Sequence, residues 1–296
     1  MHNVLGDRRA VIILLGPALA VYTLVMLVPV LWSLGLTFFE GNALFGFDAV
    51  GFENFTTLWN DPRILDSLWF TVRYAVVITI GQVLLGYLLA LLYVFALRKA
   101  SSLIRTLVFF PIVLPTVAVG LLFQQLFAIA PQNGLVNELL NLVGIASVDW
   151  LGSADTAFWV LAAMDIWRSM GFYAVLLYAG LVEIPDDIIA AARLDGATGW
   201  QMVWRIVVPL SMPVLLAALI FSINGTLKVF DSIVALTNGG PGDATTPLTL
   251  YMFRTSFSYG EYGYGSTIAL LLTVLSLGVT LLIFRSSRRD VSGTDR

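Results

Sequence analysis

Four ionisable side chains stand inside stretches of sequence that are otherwise apolar: Asp165 with Arg168, and Lys228 with Asp231. Within each pair the spacing is three residues, so on a helix the two members share a face and neutralise one another. One reading makes them self-compensated pairs that tie helices together, with Lys228 and Asp231 reaching toward an outer interface. The other makes them the lining of a polar pathway, since charges in an apolar segment are costly and mark function by default. Beside them lie Trp167, Phe172, Tyr173 and Phe230. Charged groups for hydroxyls and aromatic rings for C–H faces would together suit a sugar. The same charges would suit an anionic relative, such as a glycerol phosphodiester or a sugar phosphate. Catalytic chemistry has little to work with: the chain has no Cys, and its one His is His2. A thiolate site, a His-based metal cluster and a catalytic triad therefore have no residues to form them.

The stretch from Glu183 to Thr198 carries a second kind of information. Pro185 and Asp186 make a helix start, whose carboxylate can accept orphan amide hydrogens, and Asp187 complements the positive end of the dipole. Ala190, Ala191 and Ala192 favour helix, and Gly196 can take the positive φ that ends one. A second helix from about Thr198 places Trp200, Val203, Trp204 and Val207 on one face. On residues alone, an interfacial amphipathic helix and a docking helix fit equally well.

Both stretches belong to a chain built for lipid. Only 12% of its 296 residues are charged, against about 25% in soluble domains, and its mean hydropathy is +0.88. About 20 apolar residues cross a bilayer as a helix. Six segments qualify: 11–38, 71–97, 107–127, 157–181, 209–234 and 266–284. The sequence thus predicts an all-α membrane protein with six transmembrane helices in one permease domain over 1–296, with the loop 183–208 between spans four and five. The third and fifth spans carry prolines (Pro111, Pro115; Pro209, Pro213), breaks that neighbouring helices can accommodate. Asp7-Arg8-Arg9 leads into an apolar run longer than a cleavable leader's, which predicts a retained first helix. Residues 51–62 read as a short helix on the membrane surface.

Eleven of the 16 basic residues fall on one side of this arrangement: Arg8, Arg9, Arg98, Lys99, Arg105, Arg193, Arg205, Arg285, Arg288, Arg289 and Arg296. The opposite loops hold Glu40, Asp48, Glu53, Asp61, Asp66, Glu138, Asp149 and Asp155. The positive-inside rule then puts both termini in the cytoplasm. A net charge of −3 gives no reason to expect a nucleic acid. A self-contained secondary transporter would be expected to show internal repeats, which are not apparent here.

Residues 190–197, Ala-Ala-Ala-Arg-Leu-Asp-Gly-Ala, continuing through Trp200 and Ile206 to Pro209, resemble the EAA loop of binding-protein-dependent ABC importers. Arg105-Thr106-Leu107 with Phe109-Phe110-Pro111, Trp167 with Gly171-Phe172, and Ala179-Gly180-Leu181 before Ile184-Pro185 resemble the same family in order. Thr237-Asn238-Gly239-Gly240-Pro241 is similar to a loop of its MalF/UgpA-like permeases. The resemblance implies the transmembrane half of a sugar importer in the cytoplasmic membrane of a prokaryote. It would pair with a second, MalG-like permease, two cytoplasmic ATPase subunits holding ATP and magnesium, and an extracytoplasmic solute-binding protein. The chain would hold no cofactor and no catalytic residue of its own. The same resemblance gives the 186–198 loop the role of coupling helix, through Asp186, Asp187, Ala190, Ala191, Arg193, Asp195 and Gly196. It places solute beside Asp165, Arg168, Ser169 and Phe172, and beside Asn224, Lys228 and Phe230, with Tyr173 and Asp231 adjoining. One position departs: the motif's leading Glu is Ala190, so docking would rest on the remaining charges and on apolar fit.

Overall fold

The computed structural model describes residues 8–97, 101–129 and 131–291. His2, Asp7, Arg98, Lys99 and Arg296 lie outside the described residues, as do the side chains of Arg8, Arg9, Arg288 and Arg289. The chain separates into two compact units, one built up to Ile64 together with Tyr251–Thr273, the other from Leu65–Leu250 with the chain from Val274.

In the first unit, α1 (Arg8–Tyr22), a π-helical turn (Thr23–Leu27) and α2 (Val28–Leu36) make one apolar rod. The π turn ends two residues before Pro29. A proline clashes with the carbonyl four residues back, and a widened turn relieves that clash without ending the helix. An antiparallel hairpin follows, β1 (Phe39–Asn42) and β2 (Gly46–Ala49), which the all-helical expectation lacked. Its loop is closed by Asn42, whose Oδ1 accepts the amides of Leu44 at 3.0 Å and Phe45 at 3.1 Å. Then comes α3 (Glu53–Asn60), the short helix expected in 51–62. Buried Asn54 donates to the Thr37 and Phe39 carbonyls, pinning α3 to the hairpin.

The second helix, α4 (Pro62–Phe95), begins nine residues before the apolar run that predicted it. Asp61 caps it, accepting the Arg63 amide at 3.0 Å, and Pro62 occupies the position where no amide is needed. The predicted third span is two helices, α5 (Ser101–Val113) and α6 (Thr116–Leu126), bent by 94°. Pro115 stands at the break: a proline disfavours helical geometry in the residue before it, and Pro115 itself takes ψ 129° at the cap of α6. The described chain thus has five helices long and apolar enough to span a membrane, or six if the bent pair counts as one span.

Next are α7 (Leu135–Leu142), α8 (Ala154–Val182), α9 (Asp186–Leu194) and α10 (Gly199–Met202). A π turn (Val203–Val207) joins α10 to α11 (Val208–Leu227), again ending two residues before a proline, here Pro209. The fifth span therefore starts at Gly199, not 209, and stops at Leu227, not 234. Beyond the break come α12 (Asp231–Leu236), α13 (Leu248–Phe253), a π turn (Arg254–Ser258) and α14 (Tyr262–Val291).

Small residues let the helices of the second unit approach closely, as lipid-embedded packing requires. A Cβ on Gly86 would lie 2.8 Å from Tyr173, one on Gly120 would lie 2.5 Å from Ala235, and one on Gly81 would lie 2.4 Å from Ile166. Two buried clusters result. Tyr74, Phe158, Met164 and Ile233 belong to one; Tyr87, Leu177, Val207 and Ala218 belong to the other. On α4, Thr79 and Gln82 fall between the two, and on α8 Asp165, Arg168 and Ser169 do so.

Candidate functional site

That polar band borders a cavity of about 380 Å³, walled by α4, α5, α6, α8, α11, the residues between α11 and α12, and the start of α12. Of the side chains read from the sequence, Asp165, Arg168, Ser169, Phe172, Tyr173, Lys228, Phe230 and Asp231 all line it. Asn224 does not. It sits on the other side of α11, where its Nδ2 donates to Thr280 Oγ1 at 3.0 Å and to the Ile220 carbonyl at 2.9 Å.

Asp165 is buried, and both of its oxygens are occupied. Oδ2 accepts the Tyr74 hydroxyl and Oδ1 the Ser232 hydroxyl, each at 2.7 Å, so one carboxylate joins α4, α8 and α12. Arg168 is its neighbour one turn on, with Nε 3.8 Å from Oδ1, and that Nε is buried without a hydrogen-bond partner. The first pair therefore does knit helices, but through hydroxyls more than through its own cation. Lys228 and Asp231 do not pair. The helix ends at Leu227 and resumes at Asp231, so the three-residue spacing no longer puts them on one helical face. Both are exposed along the cavity.

A chain of uncharged groups completes the wall. The Gln82 amide donates to Ser222 Oγ at 2.5 Å, Ser222 donates to Thr79 Oγ1 at 2.8 Å, and Thr226 donates to the Ser222 carbonyl at 2.9 Å. Ser169 Oγ lies against Gln82 Oε1 and 2.5 Å from the Asp165 carbonyl oxygen. Tyr74, Gln82, Ser222, Thr226 and Ser232 escaped the sequence reading, which took its candidates from the charges inside spans, the aromatics beside them and the family resemblance. Gln82, an amide in the middle of an apolar run, was the one visible signal.

In the same unit, α9 is an exposed ridge seated on the second cluster. Ala192 is buried against the second cluster and Ile189 is half-buried, while Asp186, Asp187, Ala190, Ala191, Arg193 and Leu194 are exposed. The predicted stop is realised. Gly196 has φ +85°, its amide bonds the Arg193 carbonyl at 3.1 Å, and the Ala197 amide bonds the Ala192 carbonyl at 2.9 Å. The predicted start differs, because no side chain caps the helix. Pro185 stands at the cap, and its carbonyl accepts the Ile188 amide at 3.1 Å. Asp186 and Asp187 remain in the first turn, where their charge favours the dipole. Trp200 and Trp204 are exposed nearby with ring centroids 5.5 Å apart.

Residues 82–289 match the family described as "Binding-protein-dependent transport system inner membrane component". The sulfoquinovosyl glycerol transport system permease protein SmoG of Agrobacterium fabrum is 33% identical, over 96% of this chain and 92% of its own. The trehalose/maltose transport system permease protein MalF of Thermococcus litoralis is 34% identical, over 81% and 80%. A crystal structure of a bacterial ABC transporter involved in the import of the acidic polysaccharide alginate contains a chain that superposes with a TM-score of 0.78. The match covers 92% of this chain and 93% of that one at 24% identity, a likeness of fold.

Proposed function

The chain belongs to the family of binding-protein-dependent transport system inner membrane components, and from that premise we propose that it forms half of the translocation pathway of an ATP-driven carbohydrate importer. Relatives named for carrying sulfoquinovosyl glycerol, trehalose and maltose, and lactose support a carbohydrate as the solute. As one permease domain over 1–296 it crosses the cytoplasmic membrane of a prokaryote six times, the bent α5–α6 pair counting once, with both termini in the cytoplasm. A second permease completes the pathway, and an external binding protein delivers solute to it. The chain itself is not an enzyme; ATP and magnesium bind a separate cytoplasmic ATPase.

The observation that carries this reading is that one compact unit holds both the polar cavity and the exposed ridge α9. In it, α9 docks on the ATPase through Asp186, Asp187, Ala190, Ala191, Arg193, Asp195 and Gly196. The π turn and α11 continue from the same loop to the cavity wall at Ser222 and Thr226, so displacing α9 has a covalent path to the site. Coupling requires that ATP and solute favour different arrangements; equal affinity for both would shift nothing. Purification of the tagged chain from its native membrane in mild detergent tests the assignment. An ATPase subunit and a second multi-span protein should co-purify. A chain recovered alone, even after crosslinking through residues 186–198, would reduce α9 to an interfacial helix.

A further inference from the structure

Arg73 of α4 lies just inside the apolar run 71–97, on the opposite side of the helix from the cavity-lining Gln82, nine residues on. It is half-buried, with its guanidinium carbon 3.9 Å from the centre of the Phe158 ring on α8. Beyond that ring, Arg73 has neither a hydrogen bond nor an ion pair among the described residues. A cation so placed in a spanning helix calls for an anionic partner. Depth says what kind. Phe158 stands ten residues outward from Arg168, the middle of the 29-residue α8, or about 15 Å. With α8 centred in a hydrocarbon core of about 30 Å, Arg73 sits where hydrocarbon meets headgroups. Two exposed tryptophans mark the same level: Trp69, one turn before Arg73, and Trp159, whose ring meets that of Phe158 edge-on with centroids 5.3 Å apart.

We infer that Arg73 holds the phosphate of a phospholipid, and that Asp66 and Asp155 select one whose headgroup ends in an amine, phosphatidylethanolamine. Asp155 stands one turn outward of Phe158 on α8, and Asp66 two turns outward of Arg73 on the same side of α4. Both carboxylates are exposed, and neither has an ion pair among the described residues. The surface thus carries a cation at the hydrocarbon edge and anions beyond it. A phosphoethanolamine headgroup presents the complementary order, phosphate nearest the glycerol and ammonium two carbons further out. Guanidinium to phosphate is the stronger contact, a charge-assisted bond that can take two oxygens in parallel. The acids decide among phospholipids. An ammonium donates three hydrogens to them, whereas phosphatidylglycerol brings only hydroxyls and a net negative charge. Phosphatidylcholine has a cation but no N–H to donate. That the leaflet is the outer one follows from both termini being cytoplasmic, the one part of the proposed function this site rests on.

Native mass spectrometry of the full chain in mild detergent tests this, with dioleoyl phosphatidylethanolamine, phosphatidylglycerol and phosphatidylcholine offered at equal concentration. The ethanolamine lipid should bind best. Arg73→Gln should weaken its binding about tenfold, the scale of one charge-assisted hydrogen bond, and Arg73→Lys should weaken it less. Asp66→Asn combined with Asp155→Asn should keep the phosphate contact and bring the ethanolamine and glycerol lipids to equal affinity. Both positions are exposed, so the double variant reports selectivity even if Arg73→Gln fails to fold. A benzophenone amino acid in place of Trp69 locates the site in the complete importer in its native membrane. On illumination it should crosslink to phosphatidylethanolamine and not to protein. Three results each overturn the inference: equal or weaker binding of the ethanolamine lipid by the unaltered chain, undiminished binding by a folded Arg73→Gln chain, or a protein adduct at position 69. The last would give this face of α4 to another subunit. All three leave the importer assignment standing, since co-purification of the ATPase decides that separately.

Discussion

A carboxylate drawn out of water needs its oxygens occupied, and buried Asp165 and half-buried Asp61 both meet that need with hydroxyls. Asp165 does so inside the second unit, and Asp61 in the first, where Oδ2 accepts Tyr251 at 2.5 Å and Tyr264 at 2.7 Å. Burial alone would raise the Asp61 pKa. The two phenols, the Arg63 amide and the Arg63 charge outweigh it and hold the carboxyl below 3.8. Burial, and then the bond to Asp61, push Tyr251 the other way, from 10.0 to about 12. These shifts fix the pH limits of the arrangement. The Asp61 contribution is complete above 3.8 and is lost as pH falls through its lower folded-state value. Tyr251 costs nothing below 10 and destabilises the fold as pH rises from 10 toward 12. Spectroscopic titration of the phenols should therefore show one that ionises near 12 and is absent in Tyr251→Phe. In Asp61→Asn it should move back toward 10. If Tyr251 ionises near 10 in the unaltered chain, the Asp61 bond is not formed in solution.

The elements are held by contacts in which a single methyl group matters. Gly171 is the tightest case on α8: a Cβ there would lie 2.0 Å from the Val108 carbonyl oxygen of α5. Backbone cannot swing aside as a flexible side chain can, so Gly171→Ala should cost about 1–3 kcal/mol of overpacking. Gly278 on α14 has nothing within 4 Å of its Cβ position, and Gly278→Ala should be neutral or stabilise by up to about 1 kcal/mol through helix propensity. Thermal unfolding in detergent would compare the two, and equal shifts would argue against the α5–α8 crossing. Such crossings also mark the limit of what the sequence shows. Apolar runs reveal that spans exist, because lipid demands them. They do not reveal ends, because α4 extends from its Asp61–Pro62 start outside lipid-like sequence and α11 is reached through a π turn past Pro209. The charges of the cavity are visible for the same energetic reason. Their partners are not, because Tyr74 and Ser232 stand 91 and 67 residues from Asp165 and are ordinary residue types until the fold brings them together. Asn224 stands apart from the cavity because helix phase, and not composition, decides which wall of α11 faces it.

At the scale of the whole molecule, the direction of transport depends on which side of the membrane each surface occupies, and charge supplies the argument. Exposed Asp48 lies on the acidic hairpin, Asp187 on α9, and Arg285 at the basic end of α14. Basic segments next to spans stay on the cytoplasmic side because moving them across is opposed, whereas acidic ones impose little orientation. The chain has no Cys, so a single introduced one reports position without background. Asp48→Cys should react with a membrane-impermeant maleimide in intact cells. Asp187→Cys and Arg285→Cys should react only after the membrane is opened. Positions 187 and 285 should then part company. If α9 is covered by an ATPase, residue 187 should be protected in the assembled complex and become reactive once that subunit is stripped, while residue 285 labels equally in both. Reaction at 187 from outside would invert the topology and leave α9 nothing to dock against. Equal reaction at 187 with and without the ATPase would keep the topology but move the coupling contact elsewhere.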